Sequence, residues 1–80
     1  MNIEQAISKA LKETFDDSDN IYITTSNHGV IANIESGSVP AMTPTSQDKW
    51  LRVQSLTQTY SGLDVYLEPI NDAQIIAYEV

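Results

Sequence analysis

The feature that most constrains the fold is the stretch from Ile21 to Ser36, which reads IYITTSNHGVIANIES. Apolar and polar residues alternate on both sides of a Ser-Asn-His-Gly segment, and this pattern is typical of a β-hairpin. One side of the hairpin is apolar enough to cover a core, and the other can face solvent or a partner. The core side has Ile21, Ile23, Val30, Ala32 and Ile34, and the opposite side has Tyr22, Thr24, Ile31, Asn33 and Glu35.

An amphipathic helix is predicted ahead of the hairpin, over residues 3–15. Its apolar residues recur at three- and four-residue spacing, and Asn2 with Gln5 fits a capping box at its start. The acid-rich segment Asp16–Asn20 then ends the helix, because short polar side chains compete for backbone hydrogen bonds. No EF-hand is predicted in this segment, since the positions that need glycine and glutamate hold a tyrosine and a histidine.

Residues 46–61 can be read as a helix or as a strand. Their β-branched and aromatic content favours a strand. Their ends favour a helix, because Thr45 with Asp48 fits a capping box and Gly62 fits a C-terminal stop. We therefore predict a helix whose buried stripe is formed by Trp50, Val53, Leu56 and Tyr60.

Two further strands are predicted near the C-terminal end, over residues 63–68 and 74–80, with a turn at Pro69–Ala73 between them. The last strand is apolar on both faces, which is typical of a central strand. Residues 37–45 contain two prolines and a glycine and are predicted to form a linker.

Together these elements predict an α+β fold with the order αββαββ in a single domain, residues 1–80. It consists of an αββ unit at 2–36, the linker at 37–45 and a second αββ unit at 46–80. We expect one four-stranded, mostly antiparallel sheet with both helices on one face. The predicted layout places the second and fourth strands side by side and parallel in the middle, as a circularly permuted ferredoxin-like topology. A plain antiparallel meander is the alternative.

A sheet with both helices on one face leaves its other face open. Strand alternation assigns two tyrosines, two isoleucines and four carboxylates to that face, with no cation. Aromatic and aliphatic anchors surrounded by polar groups are typical of protein interfaces. The predicted partner-binding residues are Tyr22, Ile31, Glu35, Asp64, Tyr66, Glu68, Ile75 and Glu79, and Thr24, Asn33 and Ala77 share their face.

The charge of the chain narrows the class of partner. Eleven acidic residues against four basic ones give a formal net charge of -7. Direct binding to nucleic acid is not expected, because phosphates are bound mainly through Lys and Arg. A basic protein surface is the expected partner, while the same acidity also serves solubility. The chain has no cysteine and shows no signal peptide or membrane span, which predicts a soluble cytoplasmic protein.

No constellation of catalytic, cofactor-binding or metal-ligating residues is recognisable in the sequence. The single histidine, His28, falls in the predicted hairpin turn, and the three glycines form no phosphate loop. We therefore predict a small acidic, non-enzymatic protein-binding module without a cofactor or metal.

The short, acidic, cysteine-free composition is also typical of anti-CRISPR and anti-restriction proteins, although no shared motif supports the likeness. The concrete hypothesis is a phage or mobile-element inhibitor that acts as a nucleic-acid mimic and occludes a basic nucleic-acid-binding surface. The alternative is a structural domain that forms a homodimer through its open sheet face or its edge strands.

Overall fold

The computed structural model of the chain describes residues 1–16, 20–35 and 47–80. The predicted linker, the Thr45 half of the second capping box, and Asp17 and Asp19 lie outside the described residues. Two helices and four strands are formed in the order αββαββ, which confirms the predicted α+β fold.

The first helix, α1, spans Ile3–Thr14 and forms where its cap and its periodicity predict it. Asn2 Oδ1 accepts a hydrogen bond from the Gln5 N–H at 2.8 Å, and Gln5 Oε1 accepts one from the Asn2 N–H at 3.3 Å. The capping box therefore satisfies backbone donors that have no partner inside the helix. The buried residues of α1 are Ala6, Ile7, Ala10 and Leu11.

The second helix, α2, spans Gln47–Ser61, so the helical reading of this segment is confirmed. Trp50 and Val53 are fully buried, as predicted. Thr57 is also fully buried, although it lies outside the predicted stripe. Its Oγ1 donates to the Val53 carbonyl at 2.6 Å, and this local bond satisfies the hydroxyl inside the core.

The C-terminal half of α2 is tied to α1 at the surface, where Leu56 and Tyr60 are partly buried. The Tyr60 hydroxyl donates to Glu13 on α1, and the Lys9 ammonium lies 4.4 Å from the centroid of the Tyr60 ring. The hydrogen bond to Glu13 raises the pKa of Tyr60 above its ordinary value. Gly62 ends the helix with a φ of +72°, a conformation that glycine adopts without strain.

Four strands form one sheet in the order β1-β2-β4-β3: β1 (Ile21–Ser26), β2 (Gly29–Ile34), β3 (Val65–Asn71) and β4 (Gln74–Glu79). This order excludes the meander and places β2 beside β4 in the middle, as predicted. The prediction that these two central strands are parallel is wrong, because all neighbouring strands are antiparallel.

The connections explain the strand directions. Helix α2 carries the chain from β2 across one intervening strand to β3, and such a crossover leaves β2 and β3 parallel. Strand β4 follows β3 through a tight turn, so it must run antiparallel to both when it inserts between them. Moving β4 to the front of the chain gives βαββαβ, the element order of a ferredoxin-like fold.

The core lies between the helices and one face of the sheet. Phe15, just past α1, packs against Trp50 of α2 with the ring centroids 4.9 Å apart. The strands complete this core with two partly buried residues, Ile21 and Ile23, and with the buried Val30, Ala32, Ile34, Val65, Leu67, Ile75 and Ala77.

Strand β3 is longer than the sequence predicts. The sequence predicts a turn from Pro69 to Ala73, but Pro69 to Asn71 continue the strand, and only Asp72 and Ala73 form the turn. A β-bulge interrupts the pairing between Pro69 and Asn71. Proline is tolerated here because β3 is an edge strand, so its missing N–H breaks no bond of the sheet.

The turn between β1 and β2 consists of Asn27 and His28, and His28 is exposed, as predicted. Gly29 follows with a φ of +150°, and a Cβ at this position would lie 2.3 Å from the carbonyl oxygen of Ala77. Only glycine therefore lets the hairpin approach β4 so closely.

Candidate functional site: the uncovered sheet face

Both helices pack on one face of the sheet, and no helix or strand in the described ranges covers the other. We call this other side the uncovered face. Since side chains alternate along each strand, it is defined by the neighbours of the core residues. Its members are Tyr22, Thr24, Ile31, Asn33, Tyr66, Glu68, Gln74, Ile76 and Tyr78.

The middle of the uncovered face is aliphatic. Ile31 of β2 pairs directly with Ile76 of β4 across the two central strands. Both are partly buried. Thr24 pairs with Ile31 on one side, and Glu68 pairs with Ile76 on the other, so this row runs across all four strands.

Three tyrosines surround the aliphatic pair. Tyr22 and Tyr66 are 52% and 43% exposed, respectively, and Tyr66 pairs with Tyr78 across β3 and β4. The Tyr78 hydroxyl donates to Glu68 Oε1 at 2.7 Å. This hydrogen bond raises the pKa of Tyr78 above its ordinary value of 10.0, and it holds the ring of Tyr78 against the face.

A chain of side-chain hydrogen bonds crosses the face beside the aliphatic row. Asn71 Nδ2 donates to Gln74 Oε1 at 3.0 Å, Gln74 Nε2 to Asn33 Oδ1 at 2.8 Å, and Asn33 Nδ2 to Thr24 Oγ1 at 3.0 Å. We call these four residues the amide ladder. Each member lies on a different strand, so the ladder links the whole width of the sheet. Asn33, at its centre, is only 7% exposed.

The charge of this face is entirely negative among the described strand residues. The strands contain no Lys, Arg or His, and all four cations of the chain lie on the helices. Glu68 lies within the face. Glu35 and Asp64 extend it by one residue at the ends of β2 and β3, where the Glu35 N–H donates to the Asn20 carbonyl and the Asp64 carbonyl accepts from the Val80 N–H.

The structure brings together six of the eight predicted partner-binding residues. Tyr22, Ile31, Tyr66 and Glu68 lie on the uncovered face, and Glu35 and Asp64 lie at its ends. Whether these residues bind a partner stays a prediction.

Two of the predicted residues are on the wrong side. Ile75 is fully buried, as is Ala77, because Ile75 pairs with the core residue Ala32 of β2. Glu79 pairs with the buried Val65 and so lies toward the helices. A single error in the facing of β4 causes both mistakes, since a shift of one residue moves every side chain to the other face.

The correct facing of β4 adds residues that sequence reasoning missed. Gln74, Ile76 and Tyr78 belong to the uncovered face, and Asn71 joins it through the amide ladder. The polar Gln74 and the amphipathic Tyr78 were a signal for this facing, but the carboxylate of Glu79 gave the opposite one.

A cleft of about 320 Å³ lies at one end of the uncovered face, between α1 and β1. Its walls include Lys12, Asp16, Tyr22 and Glu35. No group of three or more His, Cys, Asp or Glu side chains that could hold a metal ion occurs among the described residues. In the same part of the chain, no helix is both long and apolar enough to cross a membrane.

Comparison of the chain with protein-family models, curated proteins and solved structures gives no match. What the protein does must therefore be inferred from its own residues.

Proposed function

We propose that this protein is a non-enzymatic binding module that engages a basic protein surface through its uncovered face. One observation carries the proposal. This face combines partly exposed aromatic and aliphatic side chains with carboxylates, and no cation occurs on the described strands. Interfaces between proteins have such an apolar and aromatic centre within a polar surround.

The centre of the face supplies burial. Tyrosines are enriched among residues that dominate binding energy, and they offer a large contact area with few rotatable bonds. Tyr22 and Tyr66 are exposed enough to be covered by a partner, and Ile31 and Ile76 lie between them. The amide ladder adds rigidity, so less conformational entropy is lost when a partner orders these side chains.

The surrounding charge supplies orientation. Glu68 on the face, Glu35 and Asp64 at its ends, and the net charge of -7 all favour encounter with a positive surface. A second copy of the chain docked face to face would instead oppose carboxylates to carboxylates. The charge distribution therefore favours a different, basic protein on this face.

The concrete partner we propose is a protein whose basic surface binds nucleic acid, so that the module would compete with the nucleic acid for that surface. Such inhibition is the mode of action expected of an anti-CRISPR or anti-restriction inhibitor. The excess of acid over base supports this choice, because basic surfaces that bind phosphates are complementary to it.

The experiment starts with capture of partners at low and high salt, followed by measurement of the affinity of the purified partner. The paired substitution Glu35→Lys with Glu68→Lys should weaken binding at least about tenfold, since each change opposes a basic partner with a like charge. The affinity of the wild-type protein should fall as salt is added, and nucleic acid should compete with it for the partner.

The matched control is the pair Asp48→Lys with Glu79→Lys, which makes the same change in net charge away from the uncovered face. This control should retain most of the affinity. The proposal fails if binding is insensitive to salt and to the Glu35 and Glu68 changes, or if the control pair weakens binding equally.

A further inference from the structure

The two edges of the sheet differ sharply, and the β3 edge is closed. The Leu67 N–H donates to Gln54 Oε1 at 2.9 Å, and Gln58 Nε2 donates to the Val65 carbonyl at 2.8 Å. Both glutamines belong to α2, so the helix binds two of the groups that β3 turns away from β4, the Leu67 N–H and the Val65 carbonyl. The next outward position is Pro69, which has no N–H to offer. The bulge and Glu68 also hinder the addition of a further strand.

Among the residues that the structure describes, none protects the β1 edge in these ways. The Glu35 N–H donates to the Asn20 carbonyl, so Asn20 turns its backbone groups toward β2, and by alternation Ile21, Ile23 and Thr25 turn theirs outward. No described residue forms a hydrogen bond with these outward groups. The strand reads IYITTS, with no charge, no proline and no bulge, which is the composition of a strand ready to pair.

Helix α1 runs alongside this open edge. A groove of about 170 Å³ between the two elements is lined by Ser8, Leu11 and Lys12 from α1 and by Ile21, Tyr22 and Ile23 from β1. Lys12 also lines the larger cleft, which contains Asn20 at the start of β1, whereas Ser8 does not. Lys12 therefore lies near Ile21 and Ser8 lies near Ile23. Helix α1 thus runs antiparallel to β1.

We infer that the open edge of β1 pairs with β1 of a second copy of this chain, in antiparallel register about a two-fold axis at Ile23. In this register Ile23 lies opposite Ile23 of the second copy, and Ile21 lies opposite Thr25. All the outward N–H and C=O groups of these residues then acquire partners. The result is one continuous eight-stranded sheet.

The charges on α1 identify the occupant as a second copy. Glu4, Ser8 and Lys12 follow one another at four-residue spacing and form one stripe of the helix, about 6 Å apart along its axis. Thr25, Ile23 and Ile21 are about 6.6 Å apart along β1, so the two periodicities match. Along the groove, Glu4 therefore lies level with Thr25, Ser8 with Ile23 and Lys12 with Ile21. Because a two-fold axis at Ile23 places Ile21 of one copy opposite Thr25 of the other, it also places Lys12 of one copy opposite Glu4 of the other, with the small Ser8 near the axis.

This pairing leaves the proposed partner surface accessible and enlarges it. The uncovered faces of the two copies become continuous across the two-fold axis, with Tyr22 of one copy opposite Thr24 of the other. The dimer and the binding of a basic partner depend on different residues. Failure of one therefore leaves the other standing.

The test is sedimentation equilibrium of the full chain over a range of concentrations. The apparent mass should rise toward twice the chain mass of 8.9 kDa. Thr25→Pro should abolish this rise, because it removes an outward N–H to which no described residue of the same chain is bonded, and proline is tolerated at such edge positions. Thr25→Ala is the matched control and should dimerise. Far-ultraviolet circular dichroism and Trp50 fluorescence should be unchanged in both.

Charge variants test the register without altering β1. Glu4→Lys alone and Lys12→Glu alone should each weaken dimerisation by about tenfold, because two ion pairs per dimer become like-charge pairs. The double variant should restore it. A strict monomer at high concentration overturns the inference. So does a dimer that Thr25→Pro leaves intact, or amides of Ile21 and Ile23 that gain exchange protection only when a different protein is added.

Discussion

Replacing Asn33 by alanine should cost more stability than any other change of a polar residue on the uncovered face. The Asn33 amide donates to Thr24 Oγ1 at 3.0 Å, to the Ile31 carbonyl at 3.2 Å and to the Tyr22 carbonyl at 3.3 Å. It also accepts from Gln74 Nε2 at 2.8 Å. Two N–H groups and one oxygen are thus satisfied at a site that is only 7% exposed.

The expected loss follows from these bonds. Each hydrogen-bonded group contributes about 1 kcal/mol net. The substitution removes three such groups, the two N–H groups and the oxygen of the Asn33 amide. Thr24 and Gln74 can turn partly to water, which lowers the cost. We expect Asn33→Ala to lower the free energy of unfolding by about 2 kcal/mol and the Tm by about 8–16 °C, the shift expected for a domain of this size.

Urea unfolding followed by tryptophan fluorescence measures this loss directly, since the single tryptophan, Trp50, is fully buried in the core. Asn27→Ala, in the exposed turn, is the control and should change stability by no more than about 0.5 kcal/mol. A double-mutant cycle of Asn33→Ala with Gln74→Ala should give a coupling of about 0.5–1 kcal/mol.

Two outcomes would refute this reasoning. One is a loss below about 0.5 kcal/mol for Asn33→Ala, which is the range of ordinary surface substitutions. The other is strict additivity with Gln74→Ala. Either result would mean that the amide ladder is not formed in solution.

Two further predictions concern the same face. Ile75→Ala should lower the free energy of unfolding by about 2–5 kcal/mol. Ile76→Ala should lower it by only about 1 kcal/mol, because the Ile76 side chain is only partly buried. Equal losses of stability in urea unfolding would contradict the assigned facing of β4. Tyr78 should titrate above 10.0 in an ultraviolet titration of tyrosinate, and Glu68→Ala should lower its pKa. The pKa of Tyr78 is higher in the folded state than in the unfolded state. The stabilisation from its hydrogen bond to Glu68 is therefore complete below the ordinary tyrosine pKa and is lost as pH rises through the raised pKa. A Tyr78 titration that Glu68→Ala leaves unchanged would show that the bond is absent.

Much of the fold could be predicted because its signals are local. The capping box at Asn2 and the three- and four-residue spacing of apolar residues act within α1 itself. Gly62 marks the end of α2 in the same way. The first hairpin is joined by a two-residue turn, so its register and the facing of Tyr22 and Ile31 follow directly from the alternation.

The errors all lie where distant parts of the chain decide the structure. The sequence of β4 has apolar residues on both faces, and its polar residues give opposite signals, Gln74 and Tyr78 against Glu79, so local sequence does not select which face is buried. Pairing with β2 makes the selection, because it sets Ile75 beside the buried Ala32. The continuation of β3 through Pro69 likewise depends on its place at the edge, where a missing N–H breaks no bond of the sheet.

The sequence by itself therefore determined which elements form, in what order, and that one sheet face would hold Tyr22 and Tyr66. Local hydrogen bonds and side-chain periodicity are enough for that, because each acts within a few residues. Only the tertiary structure decided how β4 faces, which amides join across the sheet, and that Gln54 and Gln58 bind one edge of the sheet while no described residue binds the outward groups of β1. Those features arise from contacts between segments far apart in the chain, and they exist only once the strands have paired.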